Sequence, residues 1–354
     1  MRIAQVPPLY EAVPPRFYGG TERVVSHLTD ALVDLGHEVT LFASGDAQTK
    51  AELVVVRDQA IRLDPAPLKS DLAAHMSMLC EVRAQAHRFD VIHFHTDMIQ
   101  FPLFEDMAAK TLTTLHGRLD LKDLPGVYRR FSRFGLVSIS DDQRKPLPFA
   151  NWTGTVLHGM RADIYDFRPQ TEGYLAFLGR ISPEKGPDRA IAIAKRLGRK
   201  LKIAAKVDNA DLAYFHSVVE PLLSDPLIEF VGEIGDSEKS AFLGGADALL
   251  FPIAWPEPFG LVMIEAMACG TPVVAYDCGS VPEVIEDGVT GFIVRGEDEA
   301  VEALRRIPSL SRRVVRERFE LKFSATAMAR RYLDLYENLA DASRVSNLTL
   351  VHSA

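Results

Sequence analysis

Two carboxylates, Glu257 and Glu265, stand with seven residues between them in the run WPEPFGLVMIEAMACGTP. Pro256 and Pro258 interrupt the preceding chain and Gly260 loosens it. From Leu261 the residues read as a short helix that stops at Gly270. A helix starting there leaves its first backbone N–H groups without intrahelical partners, which is a ready anion site. Glu265 shares a helix face with Leu261, Val262, Ala268 and Cys269. A carboxylate buried among such neighbours must be hydrogen-bonded. Acceptors for hydroxyls beside a row of donors for phosphate match what a nucleotide-sugar presents. The plainer reading is one surface Glu and one helix-dipole Glu, and the apolar face around Glu265 disfavours it.

Arg180 and Lys185 flank the turn in GRISPEKG. Two cations at the end of a strand suit a diphosphate, although solvated charges around a turn are common. Gly19 and Gly20 open the first helix after the first strand, where glycine lets a ligand approach the backbone. Their spacing is not G-x-G-x-x-G, so the dinucleotide fingerprint is missing, and a flexible turn is the alternative. The Pro7–Gly20 loop is fourteen residues long, long enough to suggest function. Pro7–Tyr18 is expected to shape an acceptor pocket. His116 closes a strand, and His93 and His95 alternate on the strand before Asp97. His95 and Asp97 are lesser candidates, since polar residues at strand ends often only satisfy loops. Gly232, Glu233 and Ile234 leave a later strand, where an ordinary loop exit is as good a reading as a nucleobase contact. No compact D-x-D pair occurs, and the cysteines and histidines are not expected to cluster. No metal or other cofactor is therefore expected.

These groups need a scaffold of alternating strands and helices. Strands are expected at Arg2–Val6, Glu38–Ala43, Asp90–Phe94, Thr111–Leu115, Leu136–Ser140 and Gly154–Leu157. A helix capped by Thr21 and ended by Gly36 follows the first strand, and Leu68–Arg88 forms another. A strand–helix–strand order implies parallel pairing with right-handed crossovers. After an irregular linker at Met160–Gly173, strands follow at Tyr174–Leu178, Leu201–Ala205, Leu227–Val231, Ala248–Pro252 and Val273–Ala275. Helices are expected after Gly186, at Asp211–Leu223, Ser237–Gly244, Glu299–Arg306, Ser309–Arg318 and Ser324–Leu339, with a loosely ordered tail beyond Ala340. The series predicts two doubly wound α/β domains, 1–165 and 170–323, with ligands beyond the strands' C-terminal ends.

The bulk properties agree. A chain of 354 residues exceeds the size of about 250–300 at which single cores stop growing. A net charge of −8 argues against nucleic acid as the main partner. Three cysteines, Cys80, Cys269 and Cys278, fit no zinc spacing and suggest reduced thiols in the cytoplasm. No signal peptide is visible, and no apolar run reaches the ~18 residues of a membrane span. Peripheral membrane contact stays open, as does the oligomeric state.

The PEPFGLVMIEAMACGTPVVA segment resembles the E-x7-E motif of retaining GT-B glycosyltransferases of family 4. GRISPEKG resembles the same family's diphosphate-binding signature, and FYGGTERVV its glycine loop. The opening MRIAQVPPLYEAVPPRFYGGTERVV is also similar to a bacterial subgroup that includes UDP-glucose:tetrahydrobiopterin glucosyltransferases. The resemblance implies two Rossmann-like domains facing a central cleft, with the last helix, about 324–340, returning to the N-terminal domain. It implies that Glu265 holds ribose hydroxyls and Glu257 the donor sugar. It implies that Phe259, Gly260, Leu261 and Val262, with Arg180 and Lys185, bind the diphosphate. Gly232, Glu233 and Ile234 would pass the nucleobase, and His116 would position the sugar. His158 departs from the family, which often carries Asn before Gly. The implied activity is metal-independent, front-face transfer of a hexose from a nucleoside diphosphate sugar, UDP-glucose being the first candidate. The acceptor, a small molecule, lipid or polysaccharide, is not encoded in any motif. A nucleotide-sugar 2-epimerase and a non-catalytic nucleotide-sugar-binding protein remain as alternatives.

Overall fold

The computed structural model describes residues 1–16 and 19–351, with side chains as far as Asp341. Two compact units result: Met1–Met160 joined by the segment from Ala325, and Arg161–Ser324.

The first unit is a seven-stranded, all-parallel sheet in the order β3-β2-β1-β4-β5-β6-β7. Its strands are β1 (Arg2–Val6), β2 (Glu38–Ser44), β3 (Glu52–Arg57), β4 (Val91–Phe94), β5 (Thr111–Thr114), β6 (Gly135–Ser138) and β7 (Trp152–Thr155). Helices α1 (Gly20–Asp34), α2 (Asp71–Gln85), α3 (Phe101–Phe104) and α4 (Leu124–Arg130) connect them. Phe42, Phe94, Phe101, Phe104 and Phe134 are completely buried between sheet and helices. Each such ring contributes about 2–3 kcal/mol of apolar burial. Helix α1 begins at Gly20 with Gly19 as an uncapped N-cap, so Thr21 is not the cap expected above. Ser70 caps α2 through its hydroxyl, which shortens the expected Leu68–Arg88 helix at its start.

The second unit is a six-stranded parallel sheet in the order β10-β9-β8-β11-β12-β13. It is built from β8 (Tyr174–Arg180), β9 (Leu201–Lys206), β10 (Ile228–Gly232), β11 (Ala246–Phe251), β12 (Val273–Tyr276) and β13 (Gly291–Val294). Around it run α5 (Pro187–Leu197), α6 (Leu212–Tyr214), α7 (Asp236–Gly244), α8 (Leu261–Ala268), α9 (Val281–Val284), α10 (Glu297–Arg306) and α11 (Arg312–Phe323). Strands β3 and β13 were not anticipated. The first is a half-exposed edge and the second has only four residues, too little for a period to show. The expected Asp211–Leu223 helix is instead a succession of 3-10, α and π turns, and Pro221 has no N–H to continue a regular ladder.

The Met160–Gly173 stretch is not a free linker. Met160 and Tyr165 are buried, and Arg316 donates to the carbonyls of Tyr165 and Ala162. The boundary falls between Met160 and Arg161. Helix α12 (Ala325–Val351) belongs to the first unit and packs against α1. Its backbone continues past Ala340, where a loose tail was expected. With α12 against it, α1 buries Thr29 and Ser26 as well as its apolar stripe.

Candidate functional site

In each sheet the strand order reverses once, between β1 and β4 and between β8 and β11. Chains leaving such neighbours depart to opposite faces, which opens a crevice at their C-terminal ends. Most of the candidate residues gather at these two places, the exceptions being Gly232, Glu233 and Ile234 at the edge of the second sheet.

In the second unit, β8 ends at Arg180 and the next turn carries Lys185, while β11 ends at Phe251 and runs into the loop holding Glu257. The two loops are laced together by their backbones. Ala254 N–H donates to Glu184 O at 2.8 Å, and Arg189 donates to Pro252 O and Pro183 O. Lys185 Nζ pairs with Glu257 Oε2, the two side chains being 17% and 13% exposed. The same ammonium lies 5.2 Å from the centre of the Trp255 ring. Behind Glu257 sits Gly279, at φ +59, where a Cβ would fall 2.5 Å from both the N and the O of Glu257. Only glycine allows that approach. It lets Ser280 bond Glu257 O at 3.0 Å and, through its hydroxyl, Phe259 O at 2.8 Å.

Helix α8 then starts behind Gly260, which adopts φ +78 and offers no capping side chain. Gly260, Leu261 and Val262 are half-buried, so the open N-terminus remains reachable, whereas Phe259 is buried. Glu265, one turn further, has a 5% exposed side chain and accepts from Tyr165 Oη and Lys239 Nζ, both at 3.0 Å. Arg180 lies among Glu184 at 3.1 Å, Asp208 at 3.6 Å and Asp211 at 3.7 Å. Gly232 ends edge strand β10 and Glu233 and Ile234 follow it, two strands from β8 and hence roughly 10 Å away. They make no hydrogen bond to the Glu257 cluster among the described residues, and β9 stands between β10 and β8.

The first unit brings together residues that looked scattered. His93, His95, His116 and His158 cluster, with ring centroids 4.1 Å apart for His93–His95 and 5.1 Å for His95–His116 and His116–His158. Parallel neighbours β4 and β5 place their ends side by side, which linear spacing does not show. Burial holds all four imidazoles neutral. It lowers His116 to about 3, and it pushes His93, His95 and His158 well below the usual range, with the neighbouring histidines adding to the effect. Gln143 pins the backbone around His116 by donating to Leu115 O at 2.9 Å and Gly117 O at 2.8 Å. Asp97 is exposed and holds φ +54, a left-handed conformation steadied by Gln100 Nε2 donating to its carbonyl. Among the described residues no group of three or more His, Cys, Asp and Glu is placed to hold a metal ion.

Gly19 is tightly packed, since a Cβ there would come 2.8 Å from Pro15 Cβ. The loop before it is pinned, with Leu9 N–H on His75 and Arg62 on Glu11. Phe17 and Tyr18, the end of the expected acceptor loop, lie outside the described residues. Glu22, in the first turn of α1, is buried and pushed up to about 7, chiefly by that burial. Sequence reading missed Tyr165, Lys239, Gly279, Gln143 and Glu22. Of these only Glu22 carried a signal, its place beside Gly19-Gly20.

Residues 166–319 match the family model described as Glycosyl transferases group 1, and residues 18–168 match that of Glycosyltransferase Family 4. The chain carries glycosyltransferase group 1 and family 4-like domains. A phosphatidyl-myo-inositol mannosyltransferase of Mycobacterium leprae (strain TN) is 27% identical over 96% of this chain and 97% of its own. The crystal structure of AviGT4, a glycosyltransferase involved in avilamycin A biosynthesis, superimposes with a TM-score of 0.74 at 24% identity, covering 96% of this chain and 98% of that one. Anabaena Alr3699/HepE, solved in complex with UDP-glucose, gives 0.69 at 17% identity, over 96% and 100%. The two parallel-sheet units are the GT-B architecture expected from the sequence. No helix among the described residues is long and apolar enough to cross a membrane.

Proposed function

We propose that this chain is a retaining glycosyltransferase that moves a hexose from a nucleoside diphosphate sugar to an acceptor hydroxyl without a metal ion. UDP-glucose is the first donor to try. The observation that carries the reading is the Lys185–Glu257 pair beside the bare start of α8 at the switch point of the second sheet. An incoming diphosphate offers Lys185 a second anion, next to the α8 N–H groups and Arg180. Glu257 then turns to the sugar hydroxyls and faces the positive charge that develops at the anomeric carbon. Glu265, already an acceptor of two hydrogen bonds, takes the ribose hydroxyls. In the transfer the anomeric C–O bond to the diphosphate breaks and the acceptor oxygen bonds to that carbon on the same face. Its proton passes to the departing phosphate oxygen. The Anabaena complex with UDP-glucose supports a UDP-sugar donor.

The test is calorimetric titration with UDP-, GDP- and ADP-sugars, followed by an acceptor screen with the best donor. That screen should span an inositol lipid, a pterin and oligosaccharides. Retention at the anomeric carbon, read by NMR of the product, is expected, and inversion would contradict the mechanism. Accumulation of an epimer from donor alone would make the chain an epimerase. Donor binding without turnover on any acceptor would make it a binding protein.

A further inference from the structure

Gln5 stands at the C-terminal end of β1 and is completely buried, beside β4 across the switch point. Its Nε2 donates to Tyr336 Oη at 3.1 Å, and its Oε1 lies 2.9 Å from His95 Nε2. His95 Nδ1 in turn lies 2.8 Å from His116 Nε2. His116 Nδ1 is buried and has no hydrogen-bond partner among the described residues. Tyr336 also meets His93 Nδ1 at 2.7 Å, so α12 anchors the far end of the chain.

The protons in such a chain follow one another. An amide oxygen only accepts, so His95 carries its proton on Nε2. Burial keeps His95 neutral, so its Nδ1 accepts, and His116 must donate from Nε2. His116 is neutral as well, which leaves a lone pair on Nδ1. Turning the Gln5 amide over would reverse every bond and place an N–H at His116 Nδ1 instead. A buried N–H without a partner is rarer and more costly than an unpaired acceptor, which selects the first polarity.

We propose that Gln5 and His95 are positioning residues that set the tautomer of His116, so that its Nδ1 reads a hydroxyl of a neutral sugar as a hydrogen-bond acceptor. The assignment of a sugar to this nitrogen rests on the function proposed above, while the tautomer stands apart from it. The lone pair favours an O–H group and repels an anionic substituent. None of the three residues needs to ionise, and Tyr336 Oη on α12 accepts from Gln5 Nε2 and so completes the chain at its far end.

The experiment is a long-range 1H–15N correlation spectrum of the full-length chain labelled with 15N-histidine. His116, assigned through His116→Gln, is expected with its proton on Nε2 and none on Nδ1. In Gln5→Met, which cannot direct His95, the His116 pattern should become a mixture of tautomers, and KM for the sugar donor should rise in inverse proportion to the fraction that keeps the proton on Nε2. Affinity for the bare nucleoside diphosphate should stay within about twofold. Gln5→Glu, an acceptor at both oxygens, should restore the single Nε2–H tautomer. A proton on His116 Nδ1 in the native chain overturns the proposal, and so does an unmixed Nε2–H pattern in Gln5→Met. Should Gln5→Met fail to fold, the native spectrum alone decides. A correct tautomer in a chain that transfers no sugar removes the glycosyltransferase reading and leaves the relay standing.

Discussion

At the switch point of the second sheet the polar groups are ions: Lys185 against Glu257, Arg180 among three carboxylates, and Lys239 against Glu265. At the switch point of the first sheet they are neutral: Gln5, four imidazoles and the hydroxyls of Thr114, Tyr332 and Tyr336, all within one hydrogen-bonded and stacked cluster. Both arrangements sit at the same place in the same kind of sheet, so topology does not choose between them. Local composition does. A diphosphate calls for mobile cations and free N–H groups, with carboxylates to hold the cations while the ligand is absent. Neutral hydroxyls are better read by fixed acceptors and donors whose protonation cannot drift with pH.

The strongest way to break this contrast is Glu257→Ala. Turnover should fall roughly a thousandfold, the scale of losing one preorganised electrostatic partner at a reacting centre. Affinity for UDP should be unchanged or tighter, because Lys185 is released to the phosphates. Equal losses in both would remove Glu257 from the reaction. Glu265→Ala should act on folding as well, since it leaves nearly buried Lys239 with only Asp236, at 3.3 Å, as a carboxylate partner and removes the acceptor of Tyr165 Oη. A loss of about 3 kcal/mol in denaturant unfolding is expected, and a change under 0.5 kcal/mol would show the pair to be solvated.

Arg180→Ala tests the cation side more gently. Binding of diphosphate-bearing ligands should weaken by roughly tenfold to thirtyfold, about 2 kcal/mol for a charged hydrogen bond, with uridine unaffected. Unaltered UDP affinity would take Arg180 out of the site. The smallest effect belongs to the neutral side. A histidine whose folded pKa is depressed stabilises the fold above its unfolded value of 6.5 and loses that contribution as pH falls, because only the unfolded chain takes up the proton. Each such imidazole costs the fold about 1.4 kcal/mol for every pH unit below 6.5 until its folded pKa is reached. His158→Asn should therefore reduce the acid slope of unfolding stability by one proton, and an unchanged slope would place the His158 proton elsewhere.

Much of the ionic side was legible in the sequence. Prolines and glycines around Glu257 announced a loop entering a short helix, and α8 does begin at Leu261 and end before Gly270, which holds φ +79. Arg180 and Lys185 bracketed a strand end in plain view. What stayed hidden was who holds these groups. Lys239 and Tyr165 reach Glu265 from 26 and 100 residues away, and no local spacing predicts such pairs.

Along the chain itself, alternating apolar segments and their turn residues were enough to dictate two parallel α/β units, because strand and helix periods are local properties. They also dictated that polar groups would collect at strand ends, since Arg180 and His116 stand where those periods stop. The order of strands within each sheet is set by packing among segments far apart in the chain, and only the folded structure decided it. That order is what puts Gln5 beside His93 and stacks histidines far apart in the chain, while the return of α12 brings Tyr336 from 331 residues away onto the Gln5 amide. A hydrogen-bond chain depends on distances of a few ångströms between such segments, and those distances exist only once the cores have closed.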